Sequence, residues 1–129
     1  MADDFAVRVS SGSSPRDGSA YVVPHAWTDA GVAVEAPGTG AHLLHVAVAV
    51  CVLNDVWREA AALGVPLTGV AVTARGGFDE QWASTGVAYV VDLDGTTDPD
   101  AVAALLARVD EVAEIPRALR AGLQVVRRG

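Results

Sequence analysis

Lysine is absent from this chain: all nine basic residues are arginine, set against sixteen acids for a formal net charge of −7. Neither broad phosphate neutralisation nor a polybasic anchor is available, which excludes nucleic acid and anionic membrane as expected partners. Arg127 and Arg128 make a small basic tail, too small for a binding stripe. Cysteine is nearly absent as well. The single Cys51 excludes an intrachain disulfide framework and a zinc ribbon, and leaves an inert core thiol, a reactive thiol or half of an intermolecular bridge. A basic leader is missing too, since the first four residues are acidic where a signal peptide needs positive charge, so the expected location is cytoplasmic. The most apolar run, residues 43–53, is short for a bilayer and contains His45. Aromatic residues are sparse at 5%, and Trp27, Trp57 and Trp82 are too scattered to form a stacking platform.

What is present is apolar surface. With 51% hydrophobic residues in 129, the chain reads as a single domain over residues 1–129, able to bury a core without disulfides or metals. Its centrepiece is residues 41–63. The first half is apolar on every side, which fits a buried strand or a buried helix, and the second half decides between them. Leu53, Val56, Trp57, Ala60, Ala61 and Leu63 recur at helical spacing, with Asn54, Asp55, Arg58 and Glu59 between them. Gly64 stands where a left-handed C-cap belongs and Pro66 just beyond it, so one long helix is expected.

Strands are expected on both sides of that helix. Residues 5–10 alternate with Phe5, Val7 and Val9 on one face; 11–18 read as a turn and 20–23 as a second strand, a hairpin with Arg16 and Asp17 at its tip. Residues 31–35 give a third strand with Val32 and Val34 inward. Residues 67–74 and 87–93 give two more, joined by a hairpin connection over 76–85. Asp98-Pro99-Asp100 is a helix start, with Asp as N-cap and Pro at the first helical position. Val102, Leu105, Leu106, Val109 and Val112 then mark an apolar stripe that Pro116 ends. A turn over 117–120 and a closing strand over 123–126 complete the order β-β-β-α-β-β-α-β. Grouped strands argue for α+β.

Few constellations carry chemistry. Cys51 lies well inside the helix, too far along it for the helix N-terminus to activate the thiol. Its neighbours three and four residues away are Ala47, Val48, Asn54 and Asp55, and Asp55 opposes ionisation of the thiol. Arg58 shares the stripe two turns on, roughly 10 Å by helix rise. An activating cation must therefore come from elsewhere in the fold or from a second subunit. His42 and His45 share one helix face, but no acid or cysteine completes a ligand set around them, so no metal site is expected. His42 is expected to help cap the helix, and His45 to be packed or at an interface. The acids from Asp92 to Asp100 lack the ligand spacing of a calcium loop and read as strand end, turn and cap. Gly38-Thr39-Gly40 lacks the lysine of a phosphate loop.

With this element order and Cys51 in place, the chain resembles the OsmC/Ohr family (osmotically induced protein C and organic hydroperoxide resistance proteins). The resemblance rests on PRDG at the hairpin tip, GTGAHLLHVAVAVC leading into a helical cysteine, GVPLTGVAV after that helix, and DLDGTTDPDAVAALLARVDEVAEIP. It implies an intertwined homodimer with the long helices central and active sites at the subunit interface. It implies thiol-dependent reduction of organic hydroperoxides, with no cofactor. Cys51 matches the family's peroxidatic cysteine, and Arg16 the arginine that stabilises its thiolate. Two positions depart from the pattern. The family's glutamate near the helix start is matched by Ala41, and its resolving cysteine by Ile115, before Pro116. A sulfenic acid on Cys51 would then need an external thiol reductant. The alternative is a non-catalytic homodimer on the same scaffold, binding a small apolar ligand at the interface.

Overall fold

The computed structural model describes residues 4–16 and 20–129. Five strands form one antiparallel sheet: β1 (Val7–Gly12), β2 (Tyr21–Val23), β3 (Val32–Glu35), β4 (Gly69–Phe78) and β5 (Ser84–Asp94), in the spatial order β2-β3-β1-β4-β5. Register aligns Val34, Val9, Val72 and Val91 as one row across four strands. The first three of these are almost fully buried beneath α1 (Gly40–Leu63). Branched side chains suit this arrangement because they pack well on a pleated, half-buried surface.

Helix α1 has sharply defined ends. Thr39 is the N-cap, its Oγ1 accepting from the His42 backbone N–H at 3.2 Å, so His42 receives the cap rather than supplying it. Gly64 closes the other end at φ 70, donating its N–H to the last turn. That left-handed conformation is open to glycine without the clash a Cβ would bring. Val48, Ala49, Val52, Leu53 and Val56 join the core with β1 and β4. Two helices follow the sheet, α2 (Pro99–Val112) and α3 (Glu114–Ala121), and both pack against α1. Asp98 caps α2 by accepting from Asp100 and Ala101, as its sequence predicts, and Leu105 and Val109 anchor it in the core.

The α+β class stands, and three sequence expectations change. First, β1 and β2 do not form a hairpin: β3 lies between them. Val32, Ala33 and Val34 are buried on both faces and suit an interior strand, whereas the three-residue β2 exposes Tyr21 and Val22 and suits an edge. Arg16 lies exposed after β1; the expected partner at the tip, Asp17, lies outside the described residues. Second, the β4–β5 hairpin is longer than expected, and its connection shrinks to residues 79–83, where Asp79 Oδ1 accepts from Gln81 and Ala83 N–H, each at 2.9 Å. Third, the expected turn over 117–120 is part of α3, and residues 123–126 form no strand and are exposed. Pro116 falls in the first turn of α3, where a proline's missing N–H is no loss, so it starts a helix as readily as it ends one.

Candidate active site around Cys51

Leu44, Val48, Cys51, Asp55 and Arg58 follow one another at i, i+4, i+7 spacing along the same side of α1. The start of α3 crosses this stripe at Cys51. The half-buried thiol donates to Glu114 Oε2 at 3.5 Å and accepts from the Ile115 backbone N–H at 3.4 Å. Burial pushes the thiol pKa up, the Ile115 N–H pulls it partly back, and Asp55 and Glu114 raise it further. The opposition of Asp55 that its sequence position suggests is therefore present.

Asp55 is 2% exposed. Burial, then a hydrogen bond with Glu114, pushes its carboxyl up to about 7. Glu114 moves the other way, held at about 2 by its own backbone N–H, Asp55 and Arg58. The two carboxyls thus share one proton, which stays with the buried one because charge is least tolerated there. Arg58 holds the group together: its guanidinium lies 3.2 Å from Asp55 Oδ2, 3.2 Å from Glu59 Oε2 and 3.0 Å from Glu114 Oε1. Glu59 in turn has Arg108 at 3.0 Å. Arg58 stands two turns from Cys51 along the helix, but Glu114 brings its charge to within one side chain of the sulfur.

Next along the stripe, Leu44 and Val48 open onto a cavity of about 410 Å³, completed by Ser84, Gly86, Val87, Tyr89, Pro116, Leu119 and Arg120. Its walls are mainly apolar. Its polar rim is a small network: Tyr89 donates to Asp110 Oδ1 at 2.7 Å, and Arg120 Nη2 bonds the same oxygen at 3.0 Å. Burial, then the Asp110 contact, pushes the Tyr89 phenol up to about 12, so it remains a donor.

The other sequence candidates lie apart. Arg16 is exposed, and among the described residues it makes no hydrogen bond or ion pair with Cys51. Ala41 is half-buried in the first turn of α1. His42 Nδ1 pairs with Thr39 Oγ1 at 2.6 Å, while His45 is fully buried and its Nδ1 donates to the Phe5 carbonyl at 2.9 Å. The two histidines thus have separate hydrogen-bond partners, though both rings pack against Phe5. Helix spacing alone keeps Arg58 away from the thiol, and no sequence pattern places Glu114 beside it. Glu114 has a sequence signal for its helix: an acid in the first turn of a helix with a proline in that turn, the place Asp100 takes after Pro99 in α2.

No protein-family model matches the chain, and no curated protein does. Among solved structures, the chain is similar to an OsmC-like hydroperoxide resistance protein from Jannaschia sp. CCS1. The similarity covers 99% of this chain and 93% of that one, with a TM-score of 0.59 and 14% sequence identity. The fold is therefore OsmC-like.

Proposed function

We propose that this protein is a cytoplasmic, homodimeric thiol peroxidase that reduces organic hydroperoxides at Cys51. The observation that carries the reading is the placement of a half-buried thiol, with the Ile115 N–H on its sulfur, next along the helix from an apolar cavity. The cavity suits the organic part of the substrate. Sulfur attacks the terminal peroxide oxygen, the O–O bond breaks, and the products are a sulfenic acid on Cys51 and an alcohol that takes up the thiol's proton. Two external thiols then return Cys51 to the thiol, releasing water and a disulfide, since no second cysteine exists in the chain. The carboxyls of Asp55 and Glu114 can relay the thiol's proton to the departing oxygen, since the thiol already donates to Glu114 Oε2. Arg16 is assigned to thiolate stabilisation from a second copy of the chain.

Stopped-flow oxidation of the reduced protein by cumene hydroperoxide tests this. Cys51 should react much faster than free cysteine, and faster as pH rises, because only the thiolate attacks and this thiol holds its proton unusually high. A rate no greater than that of free cysteine removes the reading.

A second reading, a non-catalytic binder of a small apolar ligand, is favoured by the same acids: Asp55 and Glu114 keep the thiol protonated. It expects Cys51→Ser to bind an apolar fluorescent probe as tightly as the parent chain does. Loss of binding in that variant counts against it.

A further inference from the structure

We propose that Cys51, Asp55 and Glu114 form a binding site for one zinc-class divalent cation. One donor atom from each lies within 4.8 Å of the other two. Cys51 Sγ and Glu114 Oε2 are 3.5 Å apart. Zinc holds sulfur at about 2.3 Å and a carboxylate oxygen at about 2.0 Å, so the tetrahedral edge between them is about 3.5 Å. These two ligands share an ion without moving.

Asp55 points to a ligand rather than to packing. Its side chain is almost fully buried and aimed into the cluster; among the described residues Oδ2 accepts no hydrogen bond, and the carboxyl is held by the Arg58 ion pair at 3.2 Å and the proton it shares with Glu114. A buried carboxyl in that state keeps its proton, and a divalent cation takes the proton's place when it binds. Arg58 fits the role of an outer partner. It takes Glu114 Oε1 at 3.0 Å and leaves Oε2 turned to the sulfur, the way outer hydrogen bonds orient a ligating carboxylate. Charge also balances: a thiolate and two carboxylates neutralise a divalent ion and Arg58 together, while Glu59 is matched by Arg108. A thiolate in the donor set favours Zn²⁺ or Co²⁺ over Mg²⁺ or Ca²⁺. Glu114 is solvent-exposed, which leaves the fourth position open to water. An ion here occupies the sulfur and shields Cys51 from oxidants, the thiol's proton and the one shared by Asp55 and Glu114 both leaving to solvent. The site goes beyond the peroxidase reading and does not rest on it.

The experiment titrates Co²⁺ into the reduced full chain and follows thiolate-to-cobalt charge-transfer absorption, with Zn²⁺ as competitor and circular dichroism as the check on folding. One Co²⁺ per chain is expected, with the band bleached by Zn²⁺ and lost in Cys51→Ser. Glu114→Gln, at an exposed position that leaves folding intact, should weaken binding at least about tenfold. A folded parent chain with no charge-transfer band at saturating Co²⁺ overturns the proposal. So do Glu114→Gln and Asp55→Asn variants that titrate like the parent, since the thiol alone would then be the ligand. A chain that binds Co²⁺ through all three residues but fails to reduce hydroperoxides still supports the site, so the two readings fail separately.

Discussion

Helix α1 buries a polar side chain near each end, about 15 Å apart by helix rise, and the two surroundings have little in common. Near the N-terminus, His45 donates from Nδ1 to the Phe5 carbonyl, and its Nε2 is buried without a hydrogen bond among the described residues. Its neighbours are rings and glycine: Phe78 lies stacked at 6.2 Å, and Gly76 borders Nε2. Further on, Asp55 sits among Arg58, Glu59, Glu114 and Cys51. An imidazole can go without one hydrogen bond at a cost of about 1–3 kcal/mol. A carboxylate in the same position needs a cation or a proton, and Asp55 takes something of both. The difference is between a site closed by shape and a site closed by charge.

The shape-closed end should be the easier to break. Gly76→Ala places a Cβ against the Gly86 carbonyl oxygen, which is backbone and cannot turn aside, and 3.2 Å from His45 Nε2. Overpacking of this kind should remove about 3 kcal/mol of stability, read from denaturant midpoints. A loss below about 1 kcal/mol would mean that this end yields as readily as a surface.

The charge-closed end should respond to pH instead. Folding raises Asp55 from its ordinary 3.8 to about 7, so between those values the folded chain keeps a proton the unfolded chain has lost. Stability therefore falls as pH rises from about 4 through 7. Glu114 runs opposite: lowered from 4.5 to about 2, it adds stability as pH rises through that lower window. The pair thus favours folding most near pH 4 to 5. Asp55→Asn should abolish the decline toward neutrality in urea midpoints taken at pH 5 and 7.5. A variant that declines as steeply as its parent would place the cause elsewhere.

The smallest effect belongs to Thr39→Ala, which removes the cap at the histidine end and should cost about 1 kcal/mol. Thermal melts would read it, with no change expected in the pH dependence set by Asp55.

Local features were legible in the sequence. The extent of α1 matches expectation to within one residue because capping by Gly64 is a property of neighbouring residues, and the start of α2 follows from Asp98 and Pro99 for the same reason. Pairing was less legible. Whether β1 meets β2 or β3 depends on which strand is apolar on both faces, which the short turn between β1 and β2 does not disclose. The site divides along the same line. Cys51 and Asp55 were visible as one helical stripe, whereas Glu114, sixty-three residues beyond the thiol, arrives only through the packing of α3. Pro116 masks it in the sequence, because a proline that suggests a helix end lies here in a helix's first turn.

The order of the strands has a consequence for how the chain folds. Everything before α1 supplies β2, β3 and β1; everything after it supplies β4 and β5; one seam, where Val7 pairs with Ala74 and Gly12 with Gly69, joins them. That closure spans about half of the chain's length and must precede any burial of α1 between the finished sheet and its covering helices. Doubling such a loop adds only about 0.6 kcal/mol of entropy, but distant pairings slow folding far more than they weaken the product. Until β4 arrives, a growing chain presents β1 as an open edge, beside a helix long and apolar enough by composition to cross a membrane. The yield of native protein is thus a race between closing this seam and aggregation, and the folding arm of a chevron plot would measure its speed.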